Sequence, residues 1–487
     1  MSVRRNTVYN LFGLVVPLGV SLVTIPVYLE LIGEARYGVL AIVWLLLGYF
    51  GLFDLGLGRA TAQRIAALRD ASIEERAQAF WAALVLNLGV GAVGGMLLWP
   101  IAASFFGSFF KVEDALRAEI QAAIPWLMLA VPMATLSGVL SGALQGRERF
   151  LALNLVSVAG TALFQLLPLA AAILWGAHLA VLLPAALLAR GLTLLALLER
   201  CRRHVFGGHP AVFARAQAAQ LLSFGGWVTV TSLVGPMMVI LDRFVIGAMA
   251  GVRAVTHYTV PFQLAERSTI IASALTSALF PRLAAAAPHE EQRLAGEGLR
   301  VLVVTMTPLI SAGILFMEPF LAWWIAPDFA RQSAPVGRII LLGFWANSLA
   351  IIPYAQLQAR GRPDLVAKCH AGEVLPYLGL LAGGLAAFGM QGAAVAFTVR
   401  VFVDLMLLAG FAGLLQQTVR ASVTPALLLA AAFLIVMQSN LGSPESFLLA
   451  AVHLLISIMW AWWKAPGALR ELIAAQLKPL ASLVAKP

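Results

Sequence analysis

Residues 8–31 read VYNLFGLVVPLGVSLVTIPVYLEL, behind the basic pair Arg4 and Arg5 and ahead of Ile32 and Gly33. Glu30, at the far end, is the single charge in the run. A helix needs roughly 20 mostly apolar residues to cross the hydrocarbon core, and this run supplies them. It exceeds the roughly 7–15-residue core of a secretory signal and lacks a small-x-small cleavage site, so it reads as a first transmembrane helix. Similar runs follow at 38–58, 78–102, 120–143, 151–175, 178–198, 218–241, 256–280, 298–317, 335–357, 365–387, 391–414, 423–439 and 446–463. Transmembrane strands would instead alternate over segments of roughly ten residues. The expectation is an all-α polytopic membrane protein of about 14 transmembrane helices; the last two runs are short, which leaves 12 open.

Composition agrees. Of 487 residues, 61% are hydrophobic and 11% charged, and the mean hydropathy is +0.89. Soluble domains are about 45–50% apolar and about 25% charged. One soluble core cannot hide so much apolar surface, and a disordered chain would not carry it. The net charge of +10 would suit nucleic acid in a soluble protein, but its distribution gives another cause. With the N-terminus in the cytoplasm, cytoplasmic segments hold 23 Lys and Arg, outer segments seven and the spans three. That bias predicts both termini in the cytoplasm and no nucleic-acid partner. Cys201 and Cys369 are too few for a disulfide framework or a four-ligand zinc site and read as inert thiols.

A faint repeat is present. LQGRER, 144–149, follows the fourth span and LQARGR, 357–362, follows the tenth, 213 residues later. Ile32-Gly33 and Ile246-Gly247 follow the first and seventh spans, 214 apart. Two matches at almost one offset predict a six-helix unit used twice, its copies related by a pseudo-two-fold axis along the membrane normal. The expected organisation is an N-lobe over 1–199, a cytoplasmic linker over 200–217, a C-lobe over 218–415, and two extra spans with a tail over 416–487.

No phosphate-binding Gly-x-x-x-x-Gly-Lys-Ser/Thr loop or His-Glu-x-x-His motif occurs, and the seven histidines are scattered. The loops are too short to fold a catalytic domain. No catalytic residue, metal site or cofactor is expected, and the chain reads as a secondary transporter. An ionisable side chain at bilayer depth costs at least about 2.5–3.5 kcal/mol on insertion scales, so it is kept facing a cavity or a partner. The spans hold Asp54, Arg190, Glu266, Arg267, Glu373, Arg400 and Asp404, with Asp242 and Arg243 at an outer end. Glu266 and Arg267 fall near the middle of the eighth span and diverge by about 100°, so they cannot share one partner. Arg267 reads as an anion contact or a structural ion pair. Arg400 and Asp404, four apart, are expected to neutralise each other. Asp54, Glu266 and Glu373 read either as structural groups or as carriers of a coupling proton or sodium ion. Tyr258 and Gln263 read either as hydrogen-bond partners for sugar hydroxyls or as helix–helix contacts.

Two stretches then point to a family. IPVYLELIGEARYG, 25–38, running on to GLFDLGLGRA, 51–60, resembles the first two helices of the polysaccharide-exporter flippases. These are the O-antigen and exopolysaccharide translocases of the multidrug/oligosaccharidyl-lipid/polysaccharide exporter superfamily. DRFVIG, 242–247, with Tyr258 and SALFPRLA, 277–284, resembles the start of that family's second half. The resemblance implies a flippase of the bacterial inner membrane that moves a polyprenyl-pyrophosphate-linked oligosaccharide to the outer leaflet by alternating access. Two lobes would form a V around a cavity lined by spans 1, 2, 7 and 8. Membrane lipids and the polysaccharide polymerase and export machinery are the implied partners. A pyrophosphate calls for arginine, whose planar fork matches phosphate oxygens. Arg267 is the first candidate and Arg59, near the cytoplasmic mouth, the second; Arg36 and Arg243 lie at the outer rim. Two readings stay open beside this one: a lipid II flippase of the same layout, and a multidrug/cation antiporter, whose cavity would favour acidic and aromatic residues over Arg267.

Overall fold

The computed structural model describes residues 3–49, 56–109, 112–211, 217–218, 241–438, 444–467 and 469–471. The elements among them are helices: α1 (Val3–Tyr49), α2 (Leu57–Ala67), α3 (Ile73–Ser104), α4 (Asp114–Gly146), α5 (Phe150–Trp175), α6 (Leu179–Cys201) and α7 (241–250). Then come α8 (Val252–Glu266), α9 (Thr269–Ala285), α10 (Pro288–Trp324), α11 (Pro327–Ala359), α12 (Pro363–Ala412), α13 (Leu415–Gln438) and α14 (Pro444–Lys464). Ten stretches of the described residues are long and apolar enough to cross a membrane. Large apolar side chains such as Leu375, Phe388 and Met437 point outward, as lipid-facing helices require. The all-α membrane architecture read from the sequence is the one the chain adopts.

Two expected pairs of spans are single merged helices that double back at a glycine. α1 breaks at Gly33 (φ 76°) and α12 at Gly389 (φ 59°), conformations that only glycine reaches without cost. In a straight helix Tyr28 and Trp44 would stand roughly 24 Å apart, yet their ring centroids are 5.2 Å apart. Across the α12 turn, a Cβ on Gly392 would sit 1.9 Å from the Gly384 carbonyl oxygen, so the two arms touch backbone to backbone.

The repeat at 144–149 and 357–362 closes α4 and α11 with the same turn. The Arg149 N–H donates to the Leu144 carbonyl at 2.9 Å, and the Arg362 N–H to the Leu357 carbonyl at 2.9 Å. The left-handed position holds Glu148 (φ 56°) in the first turn and Gly361 (φ 70°) in the second. Glycine is the favoured residue there, and other residues cost roughly 1 kcal/mol. Among the described residues the Glu148 carboxylate pairs with exposed Arg69, at 3.4 Å, which offsets little. Glu148→Gly is therefore expected to stabilise the chain by about 1 kcal/mol, read as a rise in the unfolding midpoint of the purified protein. The second match differs: Gly33 breaks a helix, whereas Gly247 lies inside α7 and the positive φ falls at Gly251 (87°). The chain turns four residues later, at a glycine that takes the left-handed conformation.

The chain forms two compact units, Met1–Thr256 and His257–Pro487, so residues 200–211 belong to the first. In the first, a Cβ on Gly142 of α4 would meet the Gly58 carbonyl oxygen of α2 at 2.1 Å, an approach that small residues allow. Phe80 stacks on Phe206 with centroids 4.9 Å apart, in a core with Ile65, Leu140 and Cys201. In the second, Phe262 packs edge-on against Phe344 and Phe397, at 5.0 and 5.2 Å. The buried Trp345 indole N–H donates to the Thr307 hydroxyl at 3.1 Å.

Candidate functional site

The expected eighth span is broken in its middle. α8 stops at Glu266 and α9 starts at Thr269. Between them the hydrogen bonds tighten: the Arg267 N–H donates to the Leu264 carbonyl (3.2 Å) and the Ser268 N–H to the Ala265 carbonyl (3.1 Å). Hydroxyls bond back to the last carbonyls of α8, with Ser268 Oγ donating to Ala265 O (2.6 Å) and Thr269 Oγ1 to Glu266 O (2.7 Å). Irregular backbone at membrane depth is tolerated on those terms. Glu266 and Arg267 are both exposed at the break. The Arg267 guanidinium has no acidic partner among the described residues and lines a cavity of about 520 Å³ between α8–α9, α10 and α11. Gln263, one turn earlier, is half-buried, whereas Tyr258 is fully buried and stacks with Phe262 at 5.8 Å.

A second polar group lies between the arms of α12. Arg400 Nε donates to Glu373 Oε2 at 3.1 Å, and the guanidinium stands 5.8 Å from the Tyr377 ring centre. One turn away, His370 Nε2 is 3.4 Å from Asp404 Oδ1. Glu373 and Asp404 are each only 6% exposed. This corrects the expected Arg400–Asp404 pair. The helix register does place them on one face, but the hairpin brings Glu373 to the guanidinium and leaves Asp404 to histidine. Glu373 Oε1 has no hydrogen-bond partner among the described residues. Glu373, Tyr377, Arg400 and Lys368 line a cavity of about 420 Å³. No group of three or more metal-ligating side chains occurs among the described residues.

The remaining candidates lie in the first unit. Arg36 grips Glu119 with two bonds, 3.0 and 2.6 Å, and Glu119 also accepts the Leu179 N–H at 3.3 Å, tying α1, α4 and α6 together. Arg243 is buried against Asp242 at 2.7 Å. Arg59 is exposed on α2. Asp54 lies outside the described residues. The Arg36 hydrogen bonds, ahead of the Leu179 N–H, hold the Glu119 carboxyl below its ordinary value of about 4.5. A carboxyl depressed on folding adds stability above its ordinary value and loses it as pH falls through the folded value. The pair is partly exposed, so its contribution is about 1 kcal/mol. Glu119→Gln is expected to lower the unfolding midpoint at neutral pH, and the difference from the parent should shrink below about pH 4.5 in parallel melts.

A bundle of apolar helices with a broken span and ionisable groups kept inside it is that of a multi-pass membrane transporter. Residues 3–286 match the family model described as "Polysaccharide biosynthesis protein". The chain belongs to that family of polysaccharide biosynthesis proteins. It is 29% identical over 411 residues to a Shigella flexneri protein named "Putative O-antigen transporter", covering 84% of this chain and 97% of that one. Among solved structures, its fold is similar to that of the lipid II flippase MurJ in an inward closed conformation, with a TM-score of 0.72 and 12% identity over 96% of this chain and 99% of that one. It is also similar to an inward-facing multidrug resistance MATE family transporter, with a TM-score of 0.66 and 16% identity over 87% and 95%. The family and the apolar helices together make the chain a multi-pass membrane protein of polysaccharide biosynthesis.

Proposed function

We propose that the chain carries a polyprenyl-pyrophosphate-linked oligosaccharide from the cytoplasmic to the outer leaflet of the bacterial inner membrane, for O-antigen or exopolysaccharide synthesis. It works by alternating access with both termini in the cytoplasm. The observation that carries this reading is Arg267: an exposed cation at a helix break within a span, with no acidic partner among the described residues. An uncompensated arginine in that position suits a phosphate-bearing cargo and disfavours a cationic drug. The relationship to a protein named as an O-antigen transporter over most of both chains supports the same substrate class.

The Glu373–Arg400 and His370–Asp404 pairs take the coupling role, binding a proton or sodium ion as the two arms of α12 shift. Arg59 assists at loading. A polysaccharide polymerase is the partner that receives the cargo on the outer side. A strain lacking the gene should lose surface polysaccharide and accumulate the lipid-linked oligosaccharide inside, with both restored by the gene in trans. Unchanged surface polysaccharide, or accumulation of a peptidoglycan precursor instead, would overturn this reading.

A further inference from the structure

The cavity beside the helix break has an unusual make-up. Its walls are apolar side chains, chiefly Leu264, Ile271, Leu309, Phe316, Phe320 and Leu341, and its polar side chains are Arg267 and Ser268, adjacent at the break. On α10 the lining runs from Leu309 to Phe320, eleven residues or roughly 16 Å of helix. Gly313 lies between them with no side chain, and Leu341 fills the space a Cβ would take, 2.8 Å away. Leu341 packs there against α10, and the space left beside it is the trough. Ile271 and Leu309 are 42% and 40% exposed, so the trough opens outward along its side.

We infer that this trough seats the polyprenyl chain of the cargo while Arg267 holds the diphosphate. The inference rests on the lipid-linked cargo proposed above and adds where its lipid lies. An apolar slot with one unpaired cation beside it is complementary to an amphiphile that has an anionic head and a long hydrocarbon chain. A sugar would need hydrogen-bonding walls, which the slot lacks. A hydrophobic cation would be repelled by Arg267. The start of α9 at Thr269 adds the positive end of a helix dipole at the same place, which favours an anionic head there. The break itself gains a purpose: it sets a charged side chain and polar backbone beside the slot without leaving carbonyls exposed to lipid.

The test uses the purified full-length protein in nanodiscs and two fluorescent probes, a long-chain polyprenyl diphosphate and the matching uncharged polyprenol. Leu309→Trp fills the slot and is expected to weaken both probes about tenfold, the equivalent of roughly two buried methylenes. Arg267→Gln is expected to weaken the diphosphate by tenfold or more and leave the polyprenol unchanged. If Leu309→Trp fails to fold, as judged by gel filtration, Ile271→Trp takes its place. Unchanged affinity for both probes in the folded slot-filling variant would overturn the inference while leaving the cargo class standing. Displacement of the probe by phosphatidylglycerol as readily as by unlabelled polyprenyl diphosphate would also overturn it, since the slot would then be an ordinary phospholipid site. Failure of the unmodified protein to bind either probe would overturn the cargo class itself.

Discussion

Replacing Arg400 with alanine is expected to destabilise the protein by about 3 kcal/mol or more. The guanidinium is the cation bonded to Glu373, at 3.1 Å, and the carboxylate is 6% exposed between the arms of α12. Removing one member of a buried ion pair leaves the other charge without water or a partner, and that penalty exceeds what the pair itself contributes. Asp404 nearby raises the cost, because two buried acids would then lie close together without the arginine. The measurement is the unfolding midpoint of the purified protein in one detergent. The double variant Arg400→Ala with Glu373→Gln should recover most of the loss, since it removes the orphaned charge. A single variant as stable as the parent would mean that Glu373 does not depend on Arg400.

Reversing the charge at Arg267 is expected to act on transport and leave folding intact. Arg267 is exposed, and no acidic side chain among the described residues leans on it. Arg267→Glu should therefore insert and melt like the parent. Against a diphosphate it turns an attraction into a like-charge contact, which costs several kcal/mol, so cargo movement should fall about a hundredfold. Arg267→Lys should retain part of the activity, because the charge remains while the two-pronged geometry is lost. Surface polysaccharide in a complemented deletion strain reads both outcomes. Full complementation by Arg267→Glu would remove this residue from the cargo path.

The membrane class, the helices and a reversal of the chain between the first two spans were legible in the residues, because apolar run length acts locally. The repeat at 144–149 and 357–362 was legible as sequence, and the structure adds that both copies close a helix with the same turn. The break at 267–268 was not legible, since no glycine or proline stands there and Glu266, Arg267, Ser268 and Thr269 read as a polar patch inside one continuous span. Its signal is two successive hydroxyl residues, Ser268 and Thr269, which elsewhere in helices merely bond back to the preceding turn. The partner of Arg400 was also hidden. Spacing by four pointed to Asp404, but Glu373 reaches it from 27 residues away across a hairpin. His370 looked like one of several scattered histidines until the same hairpin set it beside Asp404. Arg36 and Arg243, read as rim contacts, turn out to be held by Glu119 and Asp242, because a charge pattern alone does not show which cations already have partners.

The decisive measurement is translocation itself. Purified protein is reconstituted into vesicles that hold a polyprenyl-diphosphate-linked oligosaccharide in both leaflets, and a glycosidase added outside reports the sugar that reaches the outer surface. Protein-containing vesicles should expose the inner pool, faster with an imposed proton or sodium gradient, and Arg267→Glu vesicles should match empty ones. Protein-containing vesicles that expose no more sugar than empty ones, with or without a gradient, would contradict a flippase for this cargo.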